Sequence, residues 1–558
     1  MTPFLRFLLP AFALGFLAPA AHAAGVVTAA DYNVRDYGAT GDGRTLDTDA
    51  INRAIAAAAA AGGGRVRFPA GTYLSFSIRL QSHIELRLEA GSTLVAATPA
   101  EGFGRYDDAE PNPSNLYQDF GHSHWRNSLI WGDGLENIAL TGPGRIDGRG
   151  LVRHGPGPAP RGASTAATSP GQRPSMDGQG NKAIGLKLCR NVVIRDLSIL
   201  HAGHFALLAT GVDNLTLDNL KVDTNRDGFD IDCCRNVRIS NCSVNTPNDD
   251  AIVLKSSYAL GVARTTENVT ITNCFVSGFD VGTMLDGTFG RTQTHAPDRD
   301  GPTGRIKLGT ESSGGFRNIV ITDCVFERSR GLALETVDGG VIEDVIATNL
   351  VMRDIVNAPI FIRLGNRGRS PEGTPVGRVR RVKISHVSIA GADARYPVLL
   401  AGLSGHPIED VTLSDIHLVS HGGFTLADVA QQSPELVNPF FLRNAEPGAS
   451  GPREPFAVPE RADGYPEPSM FGLLPASALY ARHVSRLTVR DVTVDYTAPD
   501  ERPIVVLDDV AGSTFENVRA PRGSARAFFV LRNVKDFETH RTPGIPDTHL
   551  DTAAESSL

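Results

Sequence analysis

Asn191-Val192-Val193-Ile194, Asn214-Leu215-Thr216-Leu217, Asn236-Val237-Arg238-Ile239, Asn268-Val269-Thr270-Ile271 and Asn318-Ile319-Val320-Ile321 are copies of one short phrase. The first three start 23 and 22 residues apart, and the later gaps of 32 and 50 hold turn-rich insertions, the pattern of a coil with loops on one side. Weaker copies begin at Asn137, Asp344, Arg381, Asp410 and Arg486. Within a copy, aliphatic and polar residues alternate over a few positions, and a second short strand such as Cys242-Ser243-Val244 follows after a turn. Strands this short cannot bury an apolar face alone. Stacked on the equivalent strand of the next copy, they give parallel sheets around one continuous core.

The asparagine that opens most copies suits a tight bend, because it tolerates left-handed backbone and its amide can pair with the one above and below. Asn214, Asn241 and Asn268 lie in Asn-x-Ser/Thr sequons and are read as ladder or strand residues rather than glycan acceptors. Cys242, Cys274 and Cys324 share one place in the repeat and are expected to stack as buried thiols rather than to form bridges.

An open coil end exposes core and strand edges, so a cap is needed. Asp47-Thr48-Asp49 before Ala50-Ile51-Asn52-Arg53-Ala54-Ile55, with Gly62-Gly63-Gly64 behind, carries the signals of a capping helix within a cap region of about residues 31–100. Long loop insertions are expected near 101–127, 155–180, 286–303 and 420–480. The last contains Tyr465-Pro466-Glu467-Pro468-Ser469-Met470-Phe471-Gly472, whose aromatics suit either a sugar-stacking wall or a satellite core. The coil is assigned to 24–545, and 546–558 is expected to be a disordered tail.

The chain starts with Met1, a basic Arg6, an apolar run from Phe7 to Leu17, and Ala21-His22-Ala23, the pattern of a secretory signal cleaved after residue 23. Its eleven apolar residues fall short of the roughly 20 that span a bilayer, and no later stretch is apolar enough to do so. A secreted or periplasmic monomer is therefore expected. The formal charge of −8, with no block of like charge, argues against nucleic acid or a membrane surface as partner, so an acidic substrate needs a local basic cluster.

Two acid clusters stand out. Asn225-Arg226-Asp227-Gly228-Phe229-Asp230 lies one coil turn before Asn248-Asp249-Asp250-Ala251-Ile252, which stacks them on one face. Crowded carboxylates repel and raise at least one pKa, a cost that function explains better than structure does. Glycoside hydrolysis uses such a set, one carboxyl protonated and another ionised to activate water. A calcium site or a pair of turn caps uses the same residue types.

These two clusters, together with Lys255-Ser256 and the N-terminal Tyr37-Gly38-Ala39-x-Gly41-Asp42-Gly43, resemble glycoside hydrolase family 28, the polygalacturonases. The resemblance implies an all-β, single-stranded right-handed parallel β-helix of the pectin lyase-like kind. It also implies Asp249 as general acid, Asp227 and Asp250 as the residues that position and deprotonate water, inversion at the anomeric carbon, and no metal or cofactor. The substrate it implies is a pectic polysaccharide or oligogalacturonide, and the candidate substrate-binding residues are Asn225, Lys255, Arg305 and Lys307.

The family pattern of Asn-Thr-Asp-Gly-x-Asp, Asp-Asp, Gly-His-Gly and Arg-x-Lys is broken in three places. Arg226 stands for Thr. Arg305-Ile306-Lys307 spells Arg-x-Lys, but its register matches the Gly-His-Gly rung, with Gly304 or a neighbour at the histidine position. The following rung carries Ala333 and Glu335 where relatives place two cations. If Ile306 and Leu308 face the core, Arg305 and Lys307 face the acids and are candidates to replace those cations, with Lys255 and Arg363 behind them. If they do not, Glu335 repels galacturonate beyond the cleavage point and a neutral sugar is preferred, as in a rhamnogalacturonan hydrolase. Further alternatives are a calcium-dependent pectate lyase and a non-catalytic carbohydrate-binding β-helix. His201 and His204 are assigned no role.

Overall fold

The computed structural model describes residues 1, 30–100, 102–153, 176–442, 451–521 and 527–558. The expected signal peptide and most of the 155–180 insertion lie outside the described residues.

A typical coil turn contributes three strands, Asp227–Asp232, Arg235–Ser240 and Ser243–Asn245. The next turn repeats them as Ile252–Ser256, Thr266–Thr272 and Phe275–Ser277, each parallel to its predecessor with Asp230 opposite Val253, Val237 opposite Val269 and Ser243 opposite Phe275. From Phe316 onward the second and third strands of a turn merge, as in Phe316–Glu327 and Val341–Arg353. The fold is a right-handed parallel β-helix, as the resemblance implies.

Alternation in the repeated phrase builds the core. Val192, Leu215, Val237, Val269, Ile319 and Val345 form one buried column, each paired with the next across the sheet. Burying each such side chain is worth about 1.5–3 kcal/mol. The asparagines sit at the bend as expected. Asn137, Asn191, Asn214, Asn236, Asn268 and Asn318 have φ of 54–59°, and from Asn191 onward each amide donates to the side-chain oxygen of the asparagine one turn before. In the weaker copies the same left-handed corner is held by ion pairs, Arg381 with Asp344 and Arg486 with Asp410. All six cysteines are free and buried.

Helix Thr48–Ala60 closes the N-terminal end, burying Ala50, Ile51, Ala54, Ile55 and Ala58 along one stripe. At the other end the sequence expectation fails. Residues expected as a disordered tail form strand Thr548–Ser557, which pairs antiparallel with Phe529–His540 and covers the last coil edge. The segment is polar and lacks the repeat phrase, but an edge strand with one face in water needs neither. Among the described residues no helix is long and apolar enough to cross a membrane.

The 420–480 insertion packs Phe441, Met470 and Phe471 against Phe361, Leu399 and Tyr480 of the coil, a satellite core. Tyr465 stays 45 % exposed, its ring stacked on Phe441 at 6.0 Å. This packing carries Glu467 down to the acid-bearing face.

Candidate active site

Backbone hydrogen bonds between the two turns set the acids side by side. Asn248 N–H donates to the Asn225 carbonyl at 3.2 Å, Gly228 N–H to the Asp250 carbonyl at 3.0 Å, and Phe229 N–H to the Ala251 carbonyl at 2.9 Å. Gly228 is required by this approach, since a Cβ there would lie 2.3 Å from the Ala251 carbonyl oxygen. Asp227, Asp249 and Asp250 each present a carboxylate oxygen, all within 4.8 Å of one another. This is tighter than the roughly 6.5–9.5 Å between carboxyl groups that generally accompanies inversion, so spacing alone does not carry the stereochemistry here.

The three acids differ in surroundings. Asp250 is buried and accepts from Arg305 Nε at 2.7 Å, with Lys307 Nζ at 3.3 Å. Arg305 is held from behind by Glu467, which also meets Arg330 at 3.2 Å, and Arg330 in turn pairs with Asp298 at 2.6 Å. Lys307 reaches Glu335 at 3.5 Å. Asp227 is buried, with His204 Nε2 at 3.7 Å. Asp249 is the most open of the three and forms an ion pair with Arg226. Beside them Asp230 faces Lys255 at 3.1 Å and His122 at 3.2 Å, and Lys255 also meets Glu311 at 3.3 Å.

Their protonation follows from this. Burial, reinforced by the charge of Asp249, pushes the Asp227 carboxyl well above the usual carboxylate range. Burial acts the same way on Asp250, but Lys307 and Arg305 outweigh it and hold that carboxyl well below the usual range. Glu335 is pushed up to about 7 by burial, against the pull of Lys307 and Arg305. His204 is driven well below its ordinary value by burial and by Arg226, so it is neutral.

The register expected from the sequence is the observed one. Lys307 pairs with Ala333 one turn later, and Ile306 and Leu308 are core residues, which leaves Arg305 and Lys307 on the acids' side. Both side chains are at most 3 % exposed and already ion-paired. They serve the acids from within, and Glu335, fully buried against Lys307, is withdrawn from the surface where it was expected to repel a sugar. Lys255 is likewise enclosed by Asp230 and Glu311. Asn225 is half-buried at the bend, with its side-chain oxygen unpartnered. Arg363 lies away from the acids, donating to the carbonyls of Ala401, Gly402, Glu460 and Arg461.

His122, Glu311 and Glu467 escape the sequence reading, and His204 is assigned no role in it. His204 had a usable signal, because its neighbour Phe205 lies one turn before Asp227 in the strand register. The other three come from insertions or irregular backbone without the repeat. At the rung where relatives place a histidine, Gly304 has φ of 45° and a Cβ there would lie 2.1 Å from the Ser277 carbonyl oxygen. The imidazoles near the acids come from elsewhere in the chain.

Among the described residues, two groups at the site have metal-like spacing, Asp227 with Asp249 and Asp250, and Asp227 with His122 and Asp230. Arg305, Lys307, Arg226 and Lys255 already stand at their carboxylates, so a divalent ion would meet a field that these cations have compensated.

A parallel β-helix whose adjacent turns bring Asp227, Asp249 and Asp250 together has the kind of carboxylate set that glycoside hydrolysis uses. Residues 109–283 match the family model described as glycosyl hydrolases family 28, and residues 32–102 match one described as rhamnogalacturonase A/epimerase, pectate lyase-like. Residues 109–283, the stretch similar to glycoside hydrolase family 28, hold Asp227, Asp249 and Asp250. A probable polygalacturonase of Vitis vinifera is 24 % identical over 412 residues, 69 % of this chain and 74 % of the relative. The fold is shared with an exopolygalacturonase from Thermotoga maritima, with TM-score 0.54, 21 % identity, and coverage of 70 % of this chain and 87 % of that one. It is also shared with the family 28 exopolygalacturonase of Yersinia enterocolitica, with TM-score 0.55, 19 % identity and coverage of 91 % and 78 %.

Proposed function

We propose that the chain hydrolyses α-galacturonosyl linkages of pectin with inversion. Asp249 gives its proton to the leaving oxygen, Asp250 takes a proton from the attacking water, and Asp227 orients that water. The observation that carries this reading is the stacking of Asp227, Asp249 and Asp250 on adjacent turns, with carboxylate oxygens all within 4.8 Å of one another. Lys307 and Arg305 hold Asp250 ionised, the state needed by the group that takes a proton from water. Asp249 suits the donor role because it is the acid that solvent, and so a leaving group, can reach. Export to the periplasm or beyond, and action as a monomer, belong to the same proposal. The test is product analysis on homogalacturonan, rhamnogalacturonan and their oligomers. Saturated galacturonate products support the reading, and inertness toward every galacturonosyl bond contradicts it.

A second reading concerns the sugar beyond the cleavage point. The rung after Lys307 offers Ala333 and a buried Glu335 in place of exposed cations, which favours a neutral sugar such as rhamnose there. Initial rates on homogalacturonan and rhamnogalacturonan oligomers of equal length separate the two cases.

A further inference from the structure

A uronic acid carboxylate needs a cation that the substrate can reach, and most cations around the acids fail that requirement. Lys255, Arg305, Lys307 and Arg330 are no more than 7 % exposed at the side chain, and each already faces a carboxylate. Arg369 is open, but it answers Asp119 and Glu311, each at 3.7 Å. Arg226 is different. Its side chain is 27 % exposed, and its guanidinium meets Asp249, itself 24 % exposed, so the pair lies at the surface of the site.

Arg153 follows Val152, whose carbonyl oxygen would lie 3.1 Å from a Cβ on Gly203, the residue before His204, and its charge acts on Arg226 and Asp249. It is half-buried, has no ion-pair partner among the described residues, and its Nε is buried without a hydrogen-bond partner. Arg226 is paired with Asp249 and Arg153 has no carboxylate of its own among the described residues, which leaves a positive charge unanswered near the acids. An anion seated between them relieves the repulsion and satisfies the idle N–H groups, and guanidinium is the side chain best matched to a planar carboxylate.

We propose that Arg226 and Arg153 together recognise the carboxylate of a galacturonate in the substrate, Arg226 exchanging Asp249 for the sugar when it binds. This rests on the reading of the substrate as a galacturonide. It explains why arginine stands at position 226, where the family pattern has threonine, in a chain whose Ala333 and Glu335 displace the usual cations. The exchange also frees Asp249 of its counter-ion, the state in which it can carry the proton for the leaving oxygen.

The test compares kcat/KM for trigalacturonate and for its fully methyl-esterified form in the wild-type chain, Arg226→Thr and Arg153→Ala. Charge-assisted hydrogen bonds of the usual strength predict that the acid-to-ester preference falls by roughly 10–100-fold in each variant. Arg226→Lys is expected to recover part of that preference. A ratio within about threefold of wild type in both variants overturns the inference. Arg153 lies outside the buried ion network, so Arg153→Ala decides the matter if Arg226→Thr does not fold. A wild-type chain that cleaves neither galacturonide overturns the substrate reading as well, whereas cleavage with an unchanged ratio overturns only the role of the arginines.

Discussion

Arg305 donates to Asp250 from Nε at 2.7 Å and to Glu467 from Nη2 at 2.7 Å, so a residue 162 positions further along the chain fixes the cation that keeps Asp250 ionised. Glu467 also meets Arg330, and all three side chains are at most 3 % exposed. Removing it leaves two buried guanidinium groups short of a counter-ion. Glu467→Ala is therefore expected to cost about 3–5 kcal/mol of stability, the usual effect of breaking a buried pair on one side. Glu467→Gln keeps the acceptor oxygen and should lose less. Urea unfolding measures both, and an alanine variant as stable as wild type would mean that the network does not hold the insertion in place.

Asp227→Asn, Asp249→Asn and Asp250→Asn are each expected to lower kcat by about 10²–10⁴-fold while the chain stays folded, the usual contribution of a general acid or base. Reducing-end assays alongside circular dichroism check this. Wild-type turnover in folded Asp249→Asn and Asp250→Asn would remove the catalytic roles given to these residues.

Much of the fold was legible because the repeat phrase states it directly. The aliphatic alternation in copies such as Asn236-Val237-Arg238-Ile239 became the core column, and the asparagines became the ladder. Strand Thr548–Ser557 was not legible, since an antiparallel edge strand with polar faces looks like a tail. The acid triad was legible from its one-turn spacing. Its ion network was not, because Glu467 arrives through a satellite core formed by an insertion with no period. Alternation rightly placed Arg305 and Lys307 beside the acids but could not show that Glu467 and Glu335 had already engaged them.

Glu335 and Asp250 give opposite pH dependences of stability. Asp250 titrates lower in the folded chain than in the unfolded one, so its contribution is complete above the ordinary carboxylate range and is lost as pH falls through its folded value. Glu335 is raised from 4.5 to about 7, so between those values the folded chain keeps a proton that the unfolded chain releases, and stability declines as pH rises through that window. Glu335→Gln should abolish the decline. Urea midpoints taken from pH 5 to 7 should show the variant gaining on wild type as pH rises, and a constant difference would contradict the assignment.

Activity is expected to persist after exhaustive EDTA treatment, because cations of the chain itself stand at Asp249, Asp250 and Asp230. The measurement is the initial rate before and after chelation. Loss of activity that calcium restores would point to a metal-dependent lyase.

Proton NMR of the earliest products from trigalacturonate tests the central claim most directly. Hydrolysis by Asp249 and Asp250 predicts saturated products only, with the new reducing end appearing first as the β-anomer and mutarotating afterwards. Unsaturated products absorbing in the ultraviolet, or a new end appearing first as the α-anomer, would contradict the mechanism.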